Sequence, residues 1–267
     1  MATLHDTLKD LTADVEDVVR LVADLDATAW QTPTPAPGWT VADQVAHLTF
    51  IFRLAKTAAA DPQLFKNITA AAAGDFNGAV NAALAQFNTL PPAELLAAFQ
   101  TEADDCVRAL GAVPENQVVP WLVNPLPPVV LACAGIMELF GHGQDIADAL
   151  GVRRVPTDRL RHLADFAFLT RDFGYQARGE TPPDGPFRFE LTAPSGGTWS
   201  IGPADATQVV TGAAHDFCLL VTRRRHPDDL ALTAVGDDAR HWLGIAQAYR
   251  GPAGEGRTPG QFKNLDE

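Results

Sequence analysis

Cysteine is scarce in this chain, and so is positive charge. The 267 residues include three cysteines, Cys106, Cys133 and Cys218, far apart and forming no CxxC. That pattern excludes a disulfide framework and a cysteine-rich zinc knuckle, and it points to a reducing cytoplasm. Lysine and arginine total 20 against 33 aspartates and glutamates, for a formal net charge of -13. Such an acidic balance argues against binding to nucleic acid or to an anionic membrane. No apolar run reaches the about 18 residues that a bilayer span needs. The opening "MATLHDTLKDLTADVEDVV" lacks a basic segment followed by an apolar core, so no secretory signal is expected. A small-molecule partner is expected, with monomer and homodimer both open.

What is present is an ordinary globular composition, 46% hydrophobic and 20% charged. The first half has helical periodicity. Leu4, Leu8, Leu11, Val15, Val18, Val22 and Leu25 recur at steps of three and four, predicting one amphipathic helix. "TPTPAPGW" breaks it, and Thr40 caps a second helix, "VADQVAHLTFIFRLAKTAAA". Residues 61–90, alanine-rich with Gly74 and Gly78, read as a connection holding a short helix. "PPAELLAAFQTEADDCVRAL" is a third long helix with proline in its first turn. "VVLACAGIMELFGHGQDIADAL" is a fourth, stopped at Gly151. Four long helices joined by proline-rich loops predict a bundle over residues 1–152.

"TDRLRHLADFAFLTRDFGYQARG" predicts a fifth helix leading into a second unit. Past residue 180 the pattern changes. "FRFEL", "TWSIG" and "TQVVTG" have β propensity, and "PSGGTW" between the first two reads as a hairpin turn. Two helical segments follow. The expected fold class is α+β: a helical bundle followed by a smaller α+β domain over 153–250. Residues 251–267 lack apolar periodicity and are expected to form a mobile tail.

Chemistry concentrates on the fourth helix. Steps of three and four place Leu131, Gly135, Glu138, His142 and Asp145 on one stripe, and glycines flank His142 on both sides. Each interior glycine costs about 1 kcal/mol against alanine. Room for a ligand beside His142 would account for that cost. On the second helix the same steps link Asp43, His47, Phe50 and Leu54. A bundle that brings the two stripes together would place His47 beside Glu138 and His142. Two histidines and a carboxylate suit a divalent metal, zinc first, with nickel, cobalt, iron and manganese also compatible. The competing reading is a plain Glu–His pair on a helix surface. Asp43 and Asp145 are candidate outer carboxylates that orient His47 and His142. Trp39, Phe50 and Leu54 are candidate pocket residues. Arg223, from "RRR" in the second domain, is a candidate for reaching the pocket, although such runs are commonly solvated helix ends.

"PGWTVADQVAHL" and "MELFGHGQDIADALG" resemble the second- and fourth-helix signatures of the DinB-like metal-binding bundles. Within that superfamily they resemble the mycothiol-dependent maleylpyruvate isomerase group. The strand-then-helix ending is similar to that group's smaller C-terminal domain. The resemblance implies a DinB-like four-helix bundle holding a divalent metal through His47, Glu138 and His142. It also implies mycothiol as a cosubstrate, in an isomerase or thiol transferase. The isomerase acts on a small dicarboxylate, which calls for arginine. The bundle offers only Arg20, Arg53 and Arg108, and the face beside His47 is apolar. A larger, more apolar electrophile or natural-product intermediate fits at least as well. Two alternatives stand beside this one. One is metal-dependent chemistry on an apolar substrate without a thiol. The other is a non-catalytic metal-containing protein that binds a small molecule.

Overall fold

In the computed structural model the first helix begins where Thr3 Oγ1 accepts from the Asp6 N–H, at 3.2 Å. This is α1, Leu4–Val22, and its buried face carries Leu4, Leu8, Leu11, Val15, Val18 and Val22. The structure describes residues 2–72, 76–122 and 124–263. They fall into two units, Ala2–Val152 and the chain from Arg153 onward.

In the first unit α1 is followed by α2 (Val41–Ala60), α3 (Pro62–Ala72), α4 (Phe76–Asn88), α5 (Pro92–Gly111) and α6 (Pro128–Leu150). Helices α1, α2, α5 and α6 pack as the bundle. Residues 61–90 depart from the expected connection: they hold two helices, α3 and α4, though Gly74 lies outside the described residues. Proline at the first position opens α5 and α6, and Gly151 closes α6 in the left-handed conformation at φ 66°. The bundle core includes Leu11, Val18, Leu48, Phe52, Leu95, Phe99, Ile136 and Leu139. A Cβ at Gly135 would stand 3.2 Å from Leu11 Cδ1, so this glycine lets α1 and α6 approach closely. Glu102 of α5 takes Arg53 of α2 at 2.9 Å and also Lys56, tying the two helices together.

The second unit holds α7 (Leu160–Leu169), α8 (Phe173–Gln176), β1 (Phe187–Thr192), β2 (Thr198–Ile201), β3 (Gln208–Ala213), α9 (Ala214–Val221), β4 (Leu232–Val235) and α10 (Asp237–Ile245). Its sheet has the order β2-β1-β3-β4, with β1 parallel to β3 and the other pairs antiparallel. Phe189 packs on Phe217 and Trp242, with ring centroids at 4.8 and 5.1 Å. The chain is thus an α+β protein.

Three features of this unit differ from expectation. The fifth helix is split into α7 and α8. Trp242 Nε1 donates to Arg171 O at 3.0 Å, and Gly174 abuts the Ile245 carbonyl, so tertiary contacts override the helical periodicity. The edge strand β4 was not foreseen; "LTAV" is short and half-exposed, with little pattern to read. Of the segment expected to be a mobile tail, the described part is tied down. Phe262 is buried under the Arg225 guanidinium at 4.0 Å, and the Gly260 N–H donates to Asp229. No helix among the described residues is long and apolar enough to cross a membrane.

Candidate metal centre

The site begins with the start of α2. Thr40 and Asp43 form a capping box: Asp43 N–H donates to Thr40 Oγ1 at 3.3 Å, and Thr40 N–H donates to Asp43 Oδ2 at 2.8 Å. This fixes the helix start and therefore the direction of the residues one turn on. Among these are Gln44, fully buried, and His47. Helix α6 passes alongside and carries Glu138 and His142 one turn apart on a common face.

Three ligand-type atoms converge there. Glu138 Oε2 lies 3.1 Å from His142 Nε2 and 3.6 Å from His47 Nε2. The group His47, Glu138 and His142 is the one set of candidate ligands found among the described residues, with its ligand atoms within 4.8 Å of one another. The side chains are 18%, 22% and 14% exposed respectively, so the centre is sheltered yet reachable from solvent. Burial pushes the Glu138 carboxyl upward. Hydrogen bonds from His142 and His47, with the charges of both rings, outweigh it and hold the carboxyl well below the usual carboxylate range.

The arrangement fits a metal. Tetrahedral ligands about 2.1 Å from a zinc ion stand about 3.4 Å apart, and the observed 3.1 and 3.6 Å bracket that spacing. Both imidazoles turn Nε2 toward the carboxylate. Trp39 walls the site, its ring stacked on His142 at 5.8 Å and 18° and tilted against His47 at 5.4 Å.

Other expected site residues are placed differently. Asp43 does not orient His47. Its carboxylate is taken by the capping box and by Asn88 Nδ2 at 2.8 Å, and His47 Nδ1 is buried without a hydrogen-bond partner. His142 Nδ1 lies 2.5 Å from Oε1 of Gln44, an amide on α2. Asp145 itself is fully buried. Leu54 belongs to the bundle core, and Phe50 packs against that core. Leu54 lies two helical turns past His47, about 10 Å along the axis. Arg223 has a left-handed backbone, φ 59°, and reaches Gln247 and the Gly254 carbonyl within the second unit. Gln44 and Thr34 were missed. The signal for Gln44 was the capping box in "TVAD", which commits Asp43 elsewhere and leaves the next residue to face the histidine.

Fold and site together define a helical bundle with a candidate metal centre, continued by an α+β unit. Residues 11–147, half of the chain, match the family described as "Mycothiol maleylpyruvate isomerase N-terminal domain". The chain belongs to that family. Residues 183–235 match a second family, described as "Wyosine base formation". An uncharacterized protein of Mycobacterium tuberculosis, present in two strains, is 46% identical over 248 residues, covering 93% of this chain and 96% of its own. The crystal structure of the mycothiol-dependent maleylpyruvate isomerase is similar in fold, with a TM-score of 0.54 at 18% identity, over 82% of this chain and 91% of that one. A histidine-to-alanine mutant of that isomerase matches equally, at 17% identity.

Proposed function

We propose that the protein is a divalent-metal-dependent enzyme that uses a low-molecular-weight thiol, mycothiol in the first instance, against a carbon electrophile. The observation that carries this reading is the convergence of His47 Nε2, Glu138 Oε2 and His142 Nε2 beneath Trp39, in a chain of this family. These three residues would hold the metal, with zinc the first candidate for two imidazoles and a carboxylate. A divalent metal held there supplies Lewis acidity that lowers the pKa of a thiol reaching it.

The remaining roles belong to the chain itself. Glu138 stays ionised because the histidines favour its charge. The flat face of Trp39 shelters the centre and offers an apolar wall to an incoming group. Within the bundle all three arginines are engaged away from the site. Arg53 pairs with Glu102 and lies over the Phe87 ring, Arg20 pairs with Glu16 and Asp17, and Arg108 pairs with Asp105. That engagement supports an electrophile less charged than a small dicarboxylate. Either the thiol adds and leaves again, giving isomerisation, or its sulfur stays on the product, giving transfer. The wide separation in sequence and the burial of Cys106, Cys133 and Cys218 support a cytoplasmic setting.

The test is turnover of zinc-loaded protein on a panel of electrophiles, with and without mycothiol. Thiol-dependent product, lost in His47→Ala, is expected. Equal turnover without thiol would replace this reading with metal chemistry acting directly on the substrate. Ligand binding without turnover, unchanged by metal removal, would favour a binding protein.

A further inference from the structure

We propose that Gln44 is a positioning residue that fixes the ring of His142 with a hydrogen on Nδ1, so that Nε2 is the atom presented to the metal, and that Thr34 fixes Gln44 in turn. The inference rests on the metal reading above and adds to it a device outside the three ligands.

A chain of hydrogen bonds runs from the loop before α2 to the His142 ring. It starts at the backbone carbonyl of Trp39, which can only accept. Thr34 Oγ1 donates its hydrogen to that carbonyl at 2.9 Å. The hydroxyl is then left with lone pairs, and Gln44 Nε2 donates to one of them at 2.8 Å. With its NH2 group committed to Thr34, the amide turns Oε1 toward α6. There Oε1 lies 2.5 Å from His142 Nδ1. In this orientation of the amide the carbonyl oxygen accepts, which calls for a hydrogen on Nδ1 and leaves Nε2 as the ring atom whose hydrogen, shared with Glu138, a metal would replace. The opposite ring atom, Nε2, faces Glu138 at 3.1 Å. Which histidine nitrogen ligates is set by the bond the other one makes.

The origin of the chain is itself fixed. Thr34 N–H donates to the same Trp39 carbonyl at 2.7 Å, and Trp39 N–H donates to Ala36 O at 3.0 Å. Gly38 supplies the left-handed turn between them, at φ 78°. Val41 N–H donates to Thr32 O at 3.1 Å, which joins the loop to α2. Trp39 thus meets His142 twice: its carbonyl anchors the relay that ends on Nδ1, and its indole stacks on the ring. The proline-rich segment before α2 is the orienting frame of a ligand on α6. Gln44 is fully buried, so its amide has no competing solvent to turn toward.

The test compares wild type, Gln44→Met, Gln44→Glu and Thr34→Val. Methionine keeps the length of the side chain but accepts no such bond; glutamate keeps the acceptor. Zinc affinity is measured by competition with a chelating dye, and folding of each metal-free variant by circular dichroism. Gln44→Met is expected to weaken zinc binding about ten- to hundredfold, with Gln44→Glu close to wild type. Thr34→Val, which leaves the amide free to turn, is expected to fall between. A second readout is the His142 ring N–H in proton–nitrogen NMR. A slowly exchanging Nδ1–H is expected in wild type and a fast-exchanging or absent one in Gln44→Met. Unchanged zinc affinity and an unchanged ring N–H in Gln44→Met would overturn the proposal. Should that variant not fold, the same two results in Thr34→Val would overturn it. Failure of wild type to bind zinc would instead overturn the metal reading. The protected Nδ1–H of the metal-free protein would still decide the role of Gln44.

Discussion

Glu138 Oε2 on α6 stands 3.6 Å from Nε2 of His47 on α2, and this contact joins two helices that are distant in the chain. Around it the second imidazole and the Trp39 ring complete a sheltered group. An isolated Glu–His pair on one helix is a common surface feature. A third ligand-type atom brought in from another helix requires the bundle to be built around the meeting point.

Trp39 should report on this centre. Its ring centroid is 5.8 Å from that of His142 and 5.4 Å from that of His47. Binding of cobalt, which quenches nearby indoles, should therefore lower the tryptophan fluorescence of the protein. In Trp39→Phe most of that quenching should vanish while cobalt still binds, as read from its absorption bands. Full quenching in Trp39→Phe would place the metal elsewhere.

Cys106 gives a prediction with a definite sign. Burial pushes its thiol up to about 12 from an ordinary value of 9.0, with Lys56 opposing and Glu102 adding to the shift. A raised folded value means the native state keeps its proton while the unfolded chain loses it. The associated stability is present below pH 9 and declines as pH rises toward 12, at about 1.4 kcal/mol per pH unit. Denaturant titrations across that range should show a shallower alkaline decline in Cys106→Ala than in wild type. By the same argument native Cys106 should resist alkylation at neutral pH, read by mass spectrometry.

Gly174 tests the second unit. A Cβ there would lie 2.3 Å from the Ile245 carbonyl oxygen, and backbone cannot yield as a flexible side chain would. Gly174→Ala should destabilise the protein by about 1–3 kcal/mol, seen as a lower midpoint in thermal unfolding. Gly197, with open space around it, is the control: Gly197→Ala should shift the midpoint far less.

The elements legible in the sequence were those with strong local signals. The leucine and valine spacing of α1, the prolines opening α5 and α6, and Gly151 closing α6 all lie within a few residues of what they specify. The break between α7 and α8 was not legible, because its causes, Trp242 and Ile245, come some 70 residues later. In the centre, helical spacing put Glu138 and His142 on one face, and the histidine on α2 could be paired with them by type. The outer partners were harder. Asp43 and Gln44 are adjacent and both lie about one turn before His47. Choosing between them needed the capping box, a local signal, and the approach of α6, a tertiary one. Thr34 had no signal at all until the loop was closed on Trp39.

The account depends most on metal at His47, Glu138 and His142. Elemental mass spectrometry of the purified protein, beside Glu138→Ala prepared in the same way and without chelator, tests it directly. The account predicts close to one divalent metal per chain in wild type and close to none in Glu138→Ala. A metal-free wild type, or a Glu138→Ala variant that retains its full complement, would contradict it.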